Sequence, residues 1–397
     1  MKSRVALLIL VLGLVFQIGS GALGAGRHPG DVHGFDFAYL YAAGTSWLHH
    51  ANPYVIETLK AYNTTPVQLP SGFVYPPQSS VFSMALALLS FDVAAQLVGV
   101  LNIAALIFLA WYVQVMAAVP FSTQSSPEYP GNWLLAALVM FSPFAASVIW
   151  MGQTSIFLTV ALICGWACAE KGQNFVGGLL FAVAMIKPQF SLLPFLWLCM
   201  NGSLGFYAGF TLAFTLMGVG AWFTDSPLVT AHTWLDSIHY YRSIEFNVPG
   251  NEHVTAMQSV LVAAGLTSTP DLMLVAVVLA GGLWIFRHRF YRDAWLILLL
   301  LIGFVFIPAH DYDFVALVPV FAILWRYGKS HIYSISSLII FAATMYVPQR
   351  LVRTLGSPAL VHWRDVIVLA CLIYLVYLCR QEAPQSKVTS RTALGSN

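Results

Sequence analysis
The residues best suited to chemistry in this chain are few and far apart. Asp31 and Asp36 follow the first apolar run, Lys187 breaks a later one and is followed at once by Pro188, and His310-Asp311-Tyr312-Asp313 forms a polar run at the junction of two others. Ionisable groups at the edges of apolar segments are candidates for proton transfer or anion binding, because they are costly there without a partner. Each has a plainer alternative: Asp36 and Asp313 as helix caps, Asp31 as a solvated loop charge, Lys187 as a snorkelling side chain, His310 as a solvated loop histidine.

The elements that must position these groups are apolar helices. The chain has 397 residues, of which 59% are hydrophobic and 9% charged, with a net charge of +2. Its mean hydropathy is +0.76. No soluble core absorbs that much apolar surface. Apolar runs long enough to cross about 30 Å of hydrocarbon as helices recur along the whole sequence. The first, Val5 to Leu23, follows Lys2 and Arg4 and reads as an uncleaved span, with a signal peptide as the alternative. Further spans are expected near 93–117, 133–150, 154–170, 174–187, 189–201, 203–223, 271–286, 294–307, 313–326, 331–347 and 364–379, about twelve with the first. The two around Lys187-Pro188 read as a broken pair meeting at the proline, in a place where polar backbone lines a cavity.

Between the first two spans lies a stretch from Gly24 to about Phe91 that is too long for an idle connection and contains Pro53, Pro66, Pro70, Pro76 and Pro77. A helix is expected over Phe35 to His50 and a short apolar one over Gln78 to Ser90, both in or at the membrane interface. With the N-terminus inside, Lys171, Arg287, Arg289, Arg292, Arg326, Lys329, Arg380, Lys387 and Arg391 fall on the cytoplasmic side, as the positive-inside rule requires. The 24–91 stretch, the loop around 224–270, the turn from Pro308 to Asp313 and the 348–363 segment then share the opposite face. Arg27, Lys60, Arg242, Arg350, Arg353 and Arg364 are exceptions to the bias. Residues 1–380 read as a single domain with 24–91 inserted after the first span, and 381–397 as a disordered cytoplasmic tail.

Cys164, Cys168, Cys199, Cys371 and Cys379 all sit in or at the ends of apolar runs, so no structural disulfide is indicated. There is no Walker loop, dinucleotide glycine pattern, zinc spacing or nucleophile elbow.

Read together, several short motifs resemble glycosyltransferase family 87. Asp36-Phe37-Ala38-Tyr39-Leu40-Tyr41-Ala42-Ala43, Ala51-Asn52-Pro53-Tyr54 and Phe73-Val74-Tyr75-Pro76-Pro77 resemble its opening signature. Gly152-Gln153-Thr154-Ser155, Met185-Ile186-Lys187-Pro188-Gln189 and Met257-Gln258-Ser259 follow in the family's order, so the resemblance runs from about 31 to 320. The last motif departs from the pattern, with Met257 where an asparagine is expected. The acidic residues beside His310 are a second departure, and both bear on the acceptor and the sugar more than on the fold.

The resemblance implies an all-α polytopic membrane protein with a GT-C-type bundle. It also implies transfer of a hexose, typically mannose, from a polyprenyl-phosphate carrier to a glycan or glycolipid acceptor on the non-cytoplasmic face of the plasma or inner membrane. By motif position Asp36 is the implied catalytic base, with Asp31 as its alternate. Lys187 and His310 are candidates for the donor phosphate, as is Arg242, which a role at lipid headgroups explains equally well. Gln153 and Gln258 are candidates for sugar hydroxyls. Tyr75, like Tyr39, Trp150, Trp234 and Tyr312, is a candidate for stacking on the sugar or anchoring at the interface. No cofactor, metal or nucleic acid is expected; the partners are the lipid-linked donor, the acceptor and membrane lipids. The rival class is a polytopic transporter or lipid-linked-sugar flippase, against which stand the absence of a convincing internal repeat and the long first external loop. A membrane-bound acyltransferase would place a histidine within a span, and the histidines here lie in loops or at span ends.

Overall fold
The computed structural model describes residues 2–24, 33–118, 133–266, 269–290, 294–328, 332–347, 349–354, 356 and 358–381. Asp31 and the expected tail beyond Gln381 lie outside the described residues. The chain is an all-α membrane protein; among the described residues its strand content is one two-stranded ladder.

The chain begins with α1 (Lys2–Gly24) and an insertion carrying α2 (Phe37–Leu48), α3 (Ile56–Ala61) and, after a short 3-10 turn at Pro77–Ser79, α4 (Ser80–Ala87). The bundle continues with α5 (Phe91–Ala118), α6 (Trp133–Met140), α7 (Pro143–Met151), α8 (Ser155–Glu170), α9 (Asn174–Ala184), α10 (Pro188–Met200) and α11 (Leu204–Trp222). α12 (Pro227–Arg242), β1 (Val254–Thr255) and α13 (Met257–Ala263) form a second insertion. Then come α14 (Met273–Ile285), α15 (Trp295–Phe306), β2 (Ala309–His310), a 3-10 helix at Asp311–Leu317, α16 (Pro319–Gly328), α17 (Ile332–Tyr346), α18 (Gln349–Arg353), α19 (Pro358–Val361) and α20 (Trp363–Gln381).

Among the described residues helix runs along each expected span, except over 185–187 and at the start of 313–326. Among the described residues Phe91–Ala118, Trp133–Met151 and Leu204–Trp222 are long and apolar enough to cross a bilayer, and Arg4–Ser20, Ser155–Glu170, Asn174–Ala184, Pro188–Met200, Met273–Ile285, Trp295–Phe306 and Ile335–Tyr346 are shorter apolar helices. Two interruptions have local causes. Pro143 separates α6 from α7, with the Ser142 hydroxyl accepting from the Ala145 N–H, and the carbonyls this exposes are met from α1: buried Gln17 donates through Nε2 to Met140 O at 2.7 Å. Between α9 and α10 the chain breaks over Met185-Ile186-Lys187, as Pro188 dictates, and Gln78 Nε2 donates to the freed Met185 carbonyl at 2.9 Å.

The structure corrects the reading at two places. The segment expected as a span from 313 begins as 3-10 helix and becomes α-helical only at Pro319, because Asp313 is turned inward to a buried partner. The 224–270 loop contains a 16-residue helix, α12, whose start carries an ordinary signal: Ser226 as N-cap, accepting from Val229 N–H, then Pro227.

α15 is buried on every side from Leu296 to Val305, as a helix apolar all round must be, and packs against α10, α14 and α20. It delivers His310 and Asp313 to the end of the bundle. α9 is held between α8 and α11 at glycine contacts: a Cβ on Gly178 would lie 2.2 Å from Phe206 O, and one on Gly209 2.0 Å from Phe175 O. Such close backbone approach is how helices associate where lipid removes the hydrophobic drive.

Gly209→Ala must therefore force α9 from α11, at about 1–3 kcal/mol for overpacking. Its thermal unfolding midpoint in detergent is expected to fall, whereas Gly205→Ala, whose Cβ would meet nothing closer than 3.5 Å, is expected to leave it unchanged.

Candidate active site
Asp36 stands at the N-cap position of α2, yet its side chain makes no capping hydrogen bond. The backbone explains why it faces inward instead. Gly34 N–H donates to Trp150 O at 2.9 Å and Asp36 N–H to Met151 O at 3.0 Å, which lays the entry to α2 against the end of α7. That end is closed by Gly152 at φ +68°, and a Cβ there would sit 2.6 Å from Phe37 Cβ. Only glycine fits both the left-handed turn and the contact.

The turn aims Gln153 at Asp36. Gln153 Nε2 donates to Asp36 Oδ2 at 2.7 Å and to Tyr312 Oη at 3.0 Å, while Oε1 accepts from Tyr75 Oη at 2.7 Å. Its backbone carbonyl accepts from Asn102 of α5 at 2.8 Å. Tyr75 is pinned through its own segment, whose consecutive carbonyls each receive a side-chain donor: Ser237 Oγ to Phe73 O at 2.6 Å, Trp234 Nε1 to Val74 O at 2.9 Å and Tyr54 Oη to Tyr75 O at 2.9 Å.

Lys187, at the break between α9 and α10, is 4% exposed and its Nζ lies 2.8 Å from Oδ1 of fully buried Asp313. It also donates to Ser155 Oγ at 2.8 Å, and Ser155 in turn donates to Asp313 Oδ1 at 2.5 Å. Gln189 Nε2 reaches Asp313 Oδ2 at 3.3 Å. The Lys187 ammonium also stands 5.0 Å from the centre of the Tyr312 ring. Asp313 is thus the counter-ion of Lys187 rather than a helix cap, and Lys187 does not snorkel.

His310 belongs to β2, opposite Val254 of β1, and is half-buried. Its Nε2 is 2.7 Å from Tyr241 Oη, and its ring stacks on Tyr312 with centroids 5.2 Å apart. Asp36, Gln153, Tyr75, Tyr312, His310, Lys187 and Asp313 therefore form one continuous polar cluster in an otherwise apolar bundle.

The other expected residues lie outside it. Gln258 donates to Thr269 Oγ1 at 3.2 Å, and half-exposed Arg242 is 3.7 Å from Asp271, one residue beyond Tyr241 but turned from the cluster. Asp311 faces Arg364 and His253, each at 3.8 Å. Asn52 of the Ala51-Asn52-Pro53-Tyr54 motif ties the first insertion to the second, donating to Asp225 Oδ2 at 2.8 Å and Thr233 Oγ1 at 3.2 Å. Sequence reasoning missed Asp313 and Ser155 as partners of Lys187. The available signal was a buried cation in need of an anion, but nothing in the chain says which distant carboxylate supplies it. Among the described residues no group of three His, Cys, Asp or Glu side chains is arranged to hold a metal ion.

Asp36 lies before α2, outside the spanning helices. Burial pushes its carboxyl above the usual carboxylate range, opposed by the Gln153 hydrogen bond and by nearby His310 and Lys187. Burial lowers His310 below the ordinary histidine value, against the pull of the Asp313, Asp36 and Asp311 carboxylates. The two aspartates are in contrasting states: Asp313 is neutralised by a lysine, whereas Asp36 is oriented by a neutral amide and stays basic.

Residues 73–308, more than half of the chain, match the family model for glycosyltransferase family 87. The chain belongs to glycosyltransferase family 87. No curated protein and no solved structure matches it. The family 87 match contains Tyr75, Gln153, Lys187, Arg242 and Gln258, while Asp36 and His310 lie outside it and join the site through the contacts just described. Membership makes the protein a membrane glycosyltransferase, with a sugar donor and an acceptor as substrates, and decides against a transporter.

A carboxylate must be ionised to accept a proton, so a pH profile that depends on Asp36 is expected to show its acid limb above the usual carboxylate range. Gln153→Leu removes a hydrogen bond that holds the pKa down. The acid limb of its kcat/KM profile is expected to move to still higher pH; a limb that stays or moves down would refute the coupling.

Proposed function
We propose that this glycosyltransferase moves a hexose, mannose first among the candidates, from a polyprenyl-phosphate carrier to a glycan or glycolipid hydroxyl at the non-cytoplasmic end of a GT-C-type bundle of about twelve spans. Asp36 is the base. The observation that carries this reading is that Asp36, in a cap position, forgoes capping and is held by Gln153 in a site that also contains His310 and Lys187.

In this reading the acceptor oxygen attacks C1 of the donor sugar while its proton passes to the Asp36 carboxylate. The bond from C1 to the phosphate oxygen breaks, and the polyprenyl phosphate departs with the electron pair. The N–H of a neutral His310 donates to the phosphoryl group, and the ammonium of Lys187, already anchored by Asp313 and Ser155, offers its remaining hydrogen and field to the negative charge that develops. Asp313, occupied by Lys187, is no second nucleophile, so a single displacement with inversion at C1 follows. Tyr75 and Tyr312, locked by Gln153, form the walls on which the sugar ring rests.

The test is transfer by purified protein in nanodiscs from radiolabelled polyprenyl-phosphate mannose to membrane-extract acceptors, with Asp36→Asn alongside wild type. A positioned base contributes roughly 100- to 10,000-fold. Asp36→Asn is expected to lose activity on that scale while unfolding at the wild-type temperature; undiminished transfer would exclude Asp36 as the base.

A further inference from the structure
The start of α20 carries a buried charged group that the transfer step does not use. His362, Arg364 and Asp365 are 3%, 7% and 2% exposed. The imidazole of His362 lies between two acceptors: Nε2 is 3.2 Å from the Gly250 carbonyl and Nδ1 is 3.3 Å from Asp365 Oδ2. A carbonyl only accepts, so the contact with Gly250 O has Nε2 as its donor. The backbone N–H of Ala256 lies beside the Asp365 carboxyl. Arg364 reaches Asp311 Oδ2 at 3.8 Å and donates to Val347 O at 2.9 Å.

These bonds converge on the two-stranded ladder that carries His310. Val254 pairs with His310 and Thr255 with Ala309, Thr255 Oγ1 donates to Ala309 O at 3.1 Å, and Asp311 N–H donates to His253 O at 3.1 Å. Ala256, next in the chain, is fully buried at φ 151° and ψ 164°, a region natural only to glycine. Such a conformation persists only where its surroundings over-determine it, and the start of α20 supplies them: His362, steadied by Asp365, holds the Gly250 carbonyl, and the Asp365 carboxyl lies beside the Ala256 N–H.

We propose that His362 and Asp365 are positioning residues for glycosyl transfer: they clamp residues 250–256 onto β2 and thereby hold the His310 imidazole beside Tyr241 and over Tyr312. The proposal rests on the reading of His310 as a phosphate-binding group. Neither residue touches substrate, and the effect passes through the backbone of β1.

The test has two readouts on the full chain in nanodiscs. Hydrogen exchange measured by mass spectrometry is expected to accelerate in Asp365→Ala over residues 250–256 and 309–311, with α8, α9 and α11 unchanged; unchanged exchange in the ladder overturns the clamp whatever the donor proves to be. The second readout is a double-mutant cycle with His310→Ala, using polyprenyl-phosphate mannose. Asp365→Ala is expected to lower kcat about tenfold with little change in donor KM, as loss of an interaction made in the transition state requires. In the His310→Ala background it is expected to cause no further fall. Equal falls in both backgrounds mean a merely structural role and overturn the proposal, and wild-type transfer by His310→Ala overturns the reading of His310 and the proposal with it. Thr255→Val, which cuts the ladder's side-chain bond at nearly constant volume, is expected to show the same non-additivity should Asp365→Ala fail to fold. A wild type that uses no polyprenyl-phosphate sugar defeats the donor reading, while the exchange result still decides the clamp.

Discussion
A lysine ammonium and an aspartate carboxylate 2.8 Å apart, both sealed from solvent, are the interaction on which the rest of this structure depends. Neither charge is tolerable alone at such depth, because an unpaired buried ion loses several kcal/mol of hydration. Lys187 sits where Pro188 breaks the α9–α10 pair, and Asp313 sits where α15 gives way to the 3-10 turn before α16. Their meeting, with Ser155 at the head of α8 as a third partner, draws three helix junctions to one point. The glycine contacts that hold α9 on α11 and the wholly buried α15 serve this convergence, since they deliver the two charges to the same end of the bundle.

Around that neutral pair the structure arranges a second carboxylate differently. Asp36 comes from an insertion rather than from the bundle, and it is oriented by an amide rather than a cation. Gln153 connects the two halves: one side chain bonds Asp36, Tyr75 and Tyr312, and Tyr312 lies against both Lys187 and His310. The same residue type thus serves as structural counter-ion at one position and, in the proposed reaction, as proton acceptor at the other, according to what faces it.

Much of this was legible in the sequence, for physical reasons that also mark the limit. Apolar runs and prolines are local signals, so the helices and the break at Lys187-Pro188 were read from the chain directly. Gly152-Gln153 was visible as a motif, but not that its glycine makes room for Phe37, because that contact is tertiary. Asp313 looked like a cap: its partner is 126 residues away, and nothing in hydropathy ranks one carboxylate over another as the mate of Lys187. Gln258 and Arg242 carried plausible chemistry at the right ends of helices, yet their side chains turn to Thr269 and Asp271, a matter of rotation that spacing alone did not reveal. α12 was hidden by its polarity, although the Ser226-Pro227 start announced it.

The most direct test of this account compares Lys187→Met, Asp313→Leu and the double variant for thermal unfolding in nanodiscs and for sugar transfer. Each single change leaves an uncompensated buried charge and is predicted to destabilise the protein by about 3–5 kcal/mol, whereas the double change removes both and restores the unfolding temperature toward wild type. Transfer is predicted to remain lost in the double variant, because the site no longer holds a cation. Single variants that unfold at the wild-type temperature, or a double variant that transfers sugar at the wild-type rate, would contradict it.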